Sequence, residues 1–282
     1  MENGYIIVPL LEQKQISRLL SFYKELYPDG VKGFFTTTFA NNEEHRTKVN
    51  NEIKSVSITS LESYFKDFKT YFSSYIIKAS GEDSELILHQ DMTLVDETIF
   101  TGINVWTPLI DLDSENGAIQ ILPKSHRLMP SYRGSSLPDI YDNVKEEVKN
   151  LMIPCYLKTG EAIIFDQSIM HYSPPNLSSI ERPVINTFVA HKDAKIRTCY
   201  WDKKMQNQIE IFEHDEDFLK KFENFGHNIF SRPTIGRSLG LFAYNFPKVT
   251  PGILIEKYKS TSVKNSIEKR TSFLKRLYST KK

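Results

Sequence analysis

The sequence predicts a mostly β fold with flanking helices, in which antiparallel strands form a sandwich or barrel. Between positions 71 and 191, short β-branched or aromatic runs alternate with turn residues, which is typical of such a fold. Before them, apolar residues between Leu11 and Tyr27 recur at helical spacing. The chain has 282 residues, of which 40% are hydrophobic and 12% aromatic, so it can fill a sizeable core.

The N-terminal part, residues 1–70, is predicted to be mainly helical. A short strand is expected over residues 5–9, followed by a helix over residues 11–27. Residues 34–39 are β-prone, and the polar stretch 42–68 is predicted to hold one or two helices.

The β core is predicted over residues 71–200, with an insertion at 129–152 that is expected to be helical. An acidic turn at 111–117 is predicted to join two core strands as a hairpin, and residues 158–161 form a second tight turn. The predicted strands are YFSSYIIKA, ELILHQDM, GINVWTPLI, GAIQILP, EAIIFD and PVINTFVAH.

Beyond the core, residues 201–256 are predicted to be helical, including a helix from Glu213 to Phe225. The tail at 257–282 carries nine Lys and Arg against one acid. Such a run is expected to be a solvated terminal helix, although it could contact nucleic acid or anionic lipid. The whole chain, 1–282, is predicted to be a single domain.

The net charge and the lengths of the apolar runs indicate which binding partners are expected. The net charge of +1 does not favour a chain built to bind polyanions, so nucleic acid is not the expected partner. No apolar run is long enough to span a bilayer, and the N-terminus lacks the features of a secretory signal. Cys155 and Cys199 form no metal-binding pair and are expected to be reduced, buried thiols of a cytoplasmic protein. The sequence does not indicate the oligomeric state.

Three residues are candidate metal ligands: His89, Asp91 and the distant His171. On a strand, residues two apart share a face, so His89 and Asp91 can occupy adjacent corners of one ion, with Gln90 on the opposite side and Ile87 on the ligand face. Two imidazoles and one carboxylate on one face of a metal are diagnostic of non-haem Fe(II) oxygenases. The same ligands could also hold zinc or manganese.

Arg182 is a candidate anion site because it follows the second histidine and opens the next predicted strand. Its guanidinium could bind the distal carboxylate of a dicarboxylic acid through two parallel hydrogen bonds. Ser173, two residues after His171, would face the same way and add a hydroxyl donor.

These motifs resemble the phytanoyl-CoA dioxygenase family of Fe(II)/2-oxoglutarate oxygenases. The resemblance covers residues 86–189. It is carried by HQD, by NVWTPLIDLDSENGAIQILPKSHR and by GEAIIFDQSIMHYSPPNLSSIERP, in that order and at the family's spacing.

The resemblance implies a double-stranded β-helix (jelly-roll, cupin-like) core and an iron site of His89, Asp91 and His171. It also implies that Arg182 and Ser173 bind the C5 carboxylate of 2-oxoglutarate. The implied cofactors are Fe(II), 2-oxoglutarate as co-substrate and O₂, with ascorbate as a stimulant.

An aromatic residue beside the co-substrate in this family corresponds to Trp106, although a packed core tryptophan is the alternative. Asn104 shares its strand face and is assigned to the same co-substrate site. Iron halogenases of this fold carry Ala or Gly in place of Asp91, so the carboxylate favours hydroxylation. Desaturation and cyclisation remain open.

The expected function is therefore hydroxylation of an unactivated C–H bond in a small polar metabolite, such as an amino acid, with release of succinate and CO₂. Gln90, Thr93 and Asn186 are the candidate substrate contacts. The alternatives are an oxygenase acting on a carrier-bound or macromolecular substrate and a non-enzymatic metal-binding protein.

Overall fold

The computed structural model describes residues 1–40, 42–221 and 230–260, and antiparallel strands dominate them. The α-helices are α1 (Gln13–Leu26), α2 (Glu43–Glu62), α3 (Lys145–Lys149) and α4 (Phe218–Lys221), and residues 251–260 are also helical. The strands are β1 (Tyr5–Pro9), β2 (Phe34–Thr36), β3 (Phe68–Lys78), β4 (Leu86–His89), β5 (Ile103–Pro108), β6 (Gln120–Ile121), β7 (Ile153–Pro154), β8 (Glu161–Asp166), β9 (His171–Ser173), β10 (Arg182–His191), β11 (Ile196–Tyr200), β12 (Gln208–His214) and β13 (Arg237–Ala243).

The strands form three sheets. A six-stranded sheet has the order β1-β8-β5-β10-β3-β2, and a four-stranded sheet has the order β4-β9-β6-β7. The remaining sheet is β11-β12-β13. Because consecutive strands repeatedly cross from the six-stranded to the four-stranded sheet, the two together form the predicted jelly-roll core.

Strand β8 shows how the six-stranded sheet is buried on both faces. Ala162 and Ile164 belong to the apolar cluster formed with helices α1 and α2. Ile163 and Phe165 point the other way, into a cluster shared with Ile121 of the smaller sheet. The alternation of side chains along a strand therefore places helices on one face and the cavity between the sheets on the other.

Helices α1 and α2 cover the outer face of the large sheet. Leu19 of α1 and Ile53 of α2 are fully buried there against Tyr75 of β3. Tyr75 also donates a hydrogen bond from its hydroxyl to the backbone oxygen of Leu19, at 2.8 Å. This packing fixes β3, which carries part of the site on its opposite face.

The predicted strands of the core, strand β1 and helix α1 are confirmed. The hairpin predicted at residues 111–117 is wrong. Strand β5 before it lies in the six-stranded sheet and β6 after it lies in the four-stranded sheet, so the turn connects two sheets.

The prediction that residues 201–256 are helical is wrong for most of the described part of this segment. Strands β12 and β13 lie there, and among the described residues only α4 and residues 251–256 are helical. The helix predicted from Glu213 begins instead at Phe218, after β12. In β12, Ile209 and Ile211 are buried while Glu210 between them is not, which is a strand period of two. Residues 261–282, most of the basic tail, lie outside the described residues.

The two cysteines and the apolar character of the helices can be compared with the sequence analysis. Cys155 and Cys199 are both buried and unpaired, as predicted. Among the described residues, no helix is long and apolar enough to cross a membrane.

Candidate metal centre and its cavity

The three predicted ligands converge. His89 ends β4 and His171 begins β9, and the two residues are paired across these strands. Nε2 of His89 lies 3.6 Å from Oδ1 of Asp91, and Nε2 of His171 lies 3.9 Å from the same oxygen. One ligand atom from each residue falls within 4.8 Å of the others, which is the separation that a single ion requires.

The local strand geometry differs from simple alternation. The ladder between β4 and β9 shifts register between Leu86 and His89, and β4 ends at His89. As a result, Gln90 lines the same cavity as the ligands. Ile87, predicted on the ligand face, is instead 63% exposed. An irregularity of this kind redirects side chains and is common beside functional sites.

Hydrogen bonds orient both imidazoles for metal binding. Nδ1 of His89 lies 2.7 Å from the backbone oxygen of Ile87, and Nδ1 of His171 lies 3.0 Å from that of Ile169. Since a carbonyl oxygen only accepts, each Nδ1 carries the proton, and each Nε2 presents a lone pair towards Asp91. A backbone partner of this type is the usual support of a metal-bound histidine.

Asp91 is held from two sides. Asn104 donates a hydrogen bond from Nδ2 to Oδ2 of Asp91 at 2.6 Å, and Asn186 donates in turn to Oδ1 of Asn104 at 3.0 Å. The backbone N–H of Asp91 donates to the oxygen of Gln167 at 3.1 Å. These contacts occupy Oδ2 and leave Oδ1 as the ligand atom.

The electrostatics of the three ligands keep the carboxylate ionised. Although burial opposes ionisation, His171, His89 and Arg133 lower the pKa of Asp91. Burial, followed by the neighbouring His89, lowers the pKa of His171 to about 4. Against its own burial, the pKa of His89 is raised by Asp91. An ionised Asp91 and a neutral His171 are the protonation states in which these groups bind a metal.

Arg182 lines the cavity and is 1% exposed. It donates from Nη1 to the backbone oxygen of Gly117 at 2.5 Å. Its Nε is buried and has no partner among the described residues. Burial lowers the pKa of Arg182 to about 9. A buried cation with an unmet donor fits a carboxylate, so the residue suits the distal carboxylate of 2-oxoglutarate.

Two further predicted residues line the cavity with this guanidinium, and one of them contacts it. The guanidinium carbon of Arg182 lies 5.2 Å from the centre of the Trp106 ring, which is buried in the core between the sheets. Ser173 is buried and lines the same cavity. Gly117, whose carbonyl receives the arginine, has φ +75, and a Cβ there would lie 2.6 Å from the oxygen of Pro174. A side chain at this position would therefore displace the loop that anchors Arg182.

Lys78 is a site neighbour that the sequence analysis missed. It pairs with Arg182 across β3 and β10, and it is fully buried. Its Nζ donates to the backbone oxygens of Ser173 and Pro174 at 2.7 and 2.5 Å. Burial and the charge of Arg182 lower the pKa of Lys78 to about 6. The one signal in the sequence is a lysine that directly follows the apolar residues Ile76 and Ile77 at the end of a strand.

A second missed contribution comes from the insertion at 129–152. Arg133 donates from Nε to the backbone oxygen of Asp91 at 2.7 Å and forms an ion pair with Glu97 through both terminal nitrogens. Glu97 also accepts from Nε2 of Gln167 at 2.7 Å. This network ties the insertion to the backbone on both sides of the ligand Asp91. No motif in the sequence pointed to it.

The cavity around these residues has a volume of about 370 Å³, within the usual range for small-molecule sites. It brings together all the predicted site residues except Thr93. Thr93 is buried and exchanges hydrogen bonds with the backbone of Arg133 at 3.0 Å. The prediction that Thr93 contacts substrate therefore has no support from its position. The members of the predicted set that line the cavity are His89, Gln90, Asp91, Asn104, Trp106, His171, Ser173, Arg182 and Asn186.

Solved structures with a similar fold agree with this architecture. The non-haem α-ketoglutarate-dependent carbocyclase SnoK from nogalamycin biosynthesis superimposes with a TM-score of 0.52 and 17% identity, covering 69% of this chain and 82% of the carbocyclase. The epimerase SnoN, solved with Fe³⁺, α-ketoglutarate and nogalamycin RO, gives a TM-score of 0.50 at 16% identity, over 69% of this chain and 82% of that one. At these identities, the likeness shows the fold alone.

Curated relatives match over part of the chain. Phytanoyl-CoA dioxygenase domain-containing protein 1 of Danio rerio is 31% identical over 120 residues, which is 40% of this chain and 41% of the relative. Its homologue in Dictyostelium discoideum is 32% identical over 117 residues, or 38% of this chain and 41% of the homologue. The chain thus spans well under half the length of these relatives.

The sequence profile described as phytanoyl-CoA dioxygenase (PhyH) matches residues 1–184. This range is more than half of the chain, and it includes all three candidate metal ligands and Arg182. The chain therefore belongs to the phytanoyl-CoA dioxygenase family.

Proposed function

We propose that this protein is an Fe(II)- and 2-oxoglutarate-dependent dioxygenase that hydroxylates an unactivated C–H bond of a small molecule, with release of succinate and CO₂. The observation that carries the proposal is the pairing of two features in one cavity. Three candidate ligand atoms lie close together, and a buried guanidinium with an unpaired N–H donor lines the same cavity.

The residues have separate tasks. His89, Asp91 and His171 would hold the iron on one face and leave its other positions open. Arg182 and the hydroxyl of Ser173 would bind the distal carboxylate of 2-oxoglutarate, with Trp106 packed against the guanidinium. When bound, iron and 2-oxoglutarate supply the oxidising chemistry with O₂. The chain supplies orientation and a cavity lined largely by apolar side chains.

The presence of Asp91 favours hydroxylation over halogenation. Its carboxylate occupies a metal position that a halide would otherwise take, and Asn104 holds it in place. The product separates the remaining possibilities, since hydroxylation adds one oxygen atom whereas desaturation removes two hydrogens.

The test is succinate formation by the purified protein with Fe(II), 2-oxoglutarate, ascorbate and O₂, accompanied by calorimetric titration of 2-oxoglutarate into the metal-loaded protein. We expect both signals in the wild-type chain and neither in His171→Ala. The matched control is His191→Ala at an exposed histidine, which should retain both. A wild-type protein that binds metal but neither binds nor consumes 2-oxoglutarate would overturn the proposal.

A further inference from the structure

We propose that the substrate of this site is a neutral, predominantly apolar molecule. The inference rests on the proposed function and narrows its substrate class. It replaces the polar, amino-acid-like substrate expected from the sequence. The argument follows from the charges in the cavity, from the character of its walls and from the state of its polar side chains.

The charged side chains of the cavity already have partners in the proposed function. Among the described lining residues, the charged side chains are the ligand Asp91 and the co-substrate residue Arg182, alongside the two ligand histidines. A divalent metal and a dicarboxylate co-substrate would balance these two charges. Two basic residues near the site, Lys78 and Arg133, are not part of the lining. Lys78 donates to two backbone carbonyls, and Arg133 is paired with Glu97. The loaded site would thus have no unpaired charge left for an ionic substrate.

The walls beyond the metal ligands are apolar. Phe72 of β3 and Phe188 of β10 stand opposite each other in register and pack with Leu94 and Leu219. Phe34 belongs to β2, the strand beside β3 in the same sheet, and it also lines the cavity. The apolar side chains of the lining outside the metal and co-substrate groups are Phe34, Phe39, Phe72, Ile76, Leu86, Met92, Leu94, Ile119, Phe165, Phe188 and Leu219.

Most polar side chains of the lining are engaged with protein partners. Asn104 and Asn186 form the chain of hydrogen bonds to Asp91. Gln90 donates to the backbone oxygen of Ser168. Thr36 donates to the hydroxyl of Thr38 at 3.0 Å. The polar atoms left for a substrate include the hydroxyl of Thr38 and the unpartnered amide oxygens of Asn186 and Gln167. All of them are neutral, and they suit a hydroxyl or carbonyl group of a substrate.

An ionised substrate would therefore lose its hydration without gaining a partner. A carboxylate or ammonium placed against Phe72, Leu94 and Phe188 would be buried without a counter-charge, which is strongly unfavourable. A zwitterionic amino acid carries both groups and needs both partners. An apolar molecule gains from burial on the same surface.

The experiment uses three probes with one ring and different charge: benzyl alcohol, benzoate and benzylammonium. Their dissociation constants are measured by NMR titration of the full chain loaded with Zn(II), which is redox-inert, and 2-oxoglutarate. We expect benzyl alcohol to bind at least about 10-fold more tightly than either ion. Equal or tighter binding of either ion, or no saturable binding of benzyl alcohol, would overturn the inference.

A charge placed in the wall makes the test specific to this cavity. Leu94→Lys should shift the preference by about 10-fold or more towards benzoate, because it supplies the missing counter-charge. The matched control is Leu241→Lys, the same change at an exposed position of β13 outside the cavity, which should leave the preference unchanged. An unchanged preference in Leu94→Lys with an intact fold, or an equal shift in Leu241→Lys, would count against the wall as the selecting surface.

Binding of Zn(II) and 2-oxoglutarate is measured first in the same samples. If neither binds, the proposed function fails before the substrate class is addressed. If both bind and an ionic probe is preferred, the substrate class alone fails.

Discussion

Asn104 donates a hydrogen bond to one oxygen of Asp91, and both histidine Nε2 atoms face the other oxygen. The amide of Asn104 can take only one orientation here, because an ionised carboxylate accepts and cannot donate. Its oxygen is then turned to the amide of Asn186, which donates to it at 3.0 Å. The two asparagines thus select which oxygen of Asp91 is offered to a metal.

Asn104→Ala should weaken metal binding by about 10- to 100-fold, the usual effect of losing a hydrogen bond that orients a metal ligand. The measurement is competitive titration of Zn(II) against a chelator. Asn143→Ala, an identical change at an exposed position, is the control and should bind Zn(II) like the wild type. Equal affinities for Asn104→Ala and the wild type would mean that Asp91 is oriented by its backbone contacts alone.

Arg182→Leu should abolish most 2-oxoglutarate binding while metal binding persists. Removing one partner of a buried, hydrogen-bonded charge pair costs about 2 kcal/mol or more, which is a loss of at least about 30-fold in affinity. Arg182→Lys retains the charge but lacks the planar fork, so we expect a smaller but clear loss. Calorimetry of the Zn(II)-loaded protein measures both. The exposed Arg127→Leu serves as control, and a matching loss there would remove Arg182 from the co-substrate site.

The candidate ligands could be predicted from the sequence because their chemistry is local and their spacing is distinctive. His89 and Asp91 are two residues apart, His171 follows the predicted strand EAIIFD, and Arg182 opens the next predicted strand. The core strands could be predicted because their signal is also local. Short apolar runs separated by turn residues indicate strands even when their pairing partners are unknown.

The residues that were missed act through contacts between distant segments. Lys78 gains its role from pairing with Arg182, and Arg133 reaches Asp91 from an insertion 42 residues further along the chain. Neither of these two contacts produces a periodic pattern in the sequence. The misassigned hairpin at 111–117 has the same origin, because a turn does not reveal whether the strands on either side pair with each other.

Lys78 should make stability depend on pH. Its ordinary pKa of 10.5 falls to about 6 in the folded protein. Between these values, the unfolded chain binds the proton and the folded chain does not, so the free energy of unfolding rises with pH. The slope is at most about 1.4 kcal/mol per pH unit for one proton. Below about pH 6 both states are protonated, and this contribution is constant.

Lys78→Met removes that proton, so the stability of the wild type relative to the variant should increase as pH rises from about 6 to 10. Urea unfolding of the metal-free proteins at several pH values measures the difference. Lys66→Met at an exposed site provides the comparison and should show no such trend. A relative stability that is flat with pH would indicate that Lys78 keeps its proton in the folded state.

Arg133 should act on the metal through the backbone of Asp91. Its Nε donates to the oxygen of Asp91 while its terminal nitrogens hold Glu97, which in turn accepts from Gln167. Arg133→Met breaks all of these contacts at once, and we expect Zn(II) affinity to fall by about 10-fold or more. A lysine in its place cannot reach Asp91 and Glu97 together, so Arg133→Lys should recover little of the loss.

A double-mutant cycle separates positioning from general stabilisation. If Arg133 and Glu97 act on Asp91 as one unit, Glu97→Gln should weaken Zn(II) binding in the wild type and add little in the Arg133→Met background. Thermal unfolding of the metal-free proteins gives the structural contribution of the same pair. If the variants keep their Zn(II) affinity but have a lower melting temperature, the pair stabilises the insertion and does not position the metal ligand. A loss of affinity larger than the loss of stability explains would place Arg133 among the residues that position the ligand.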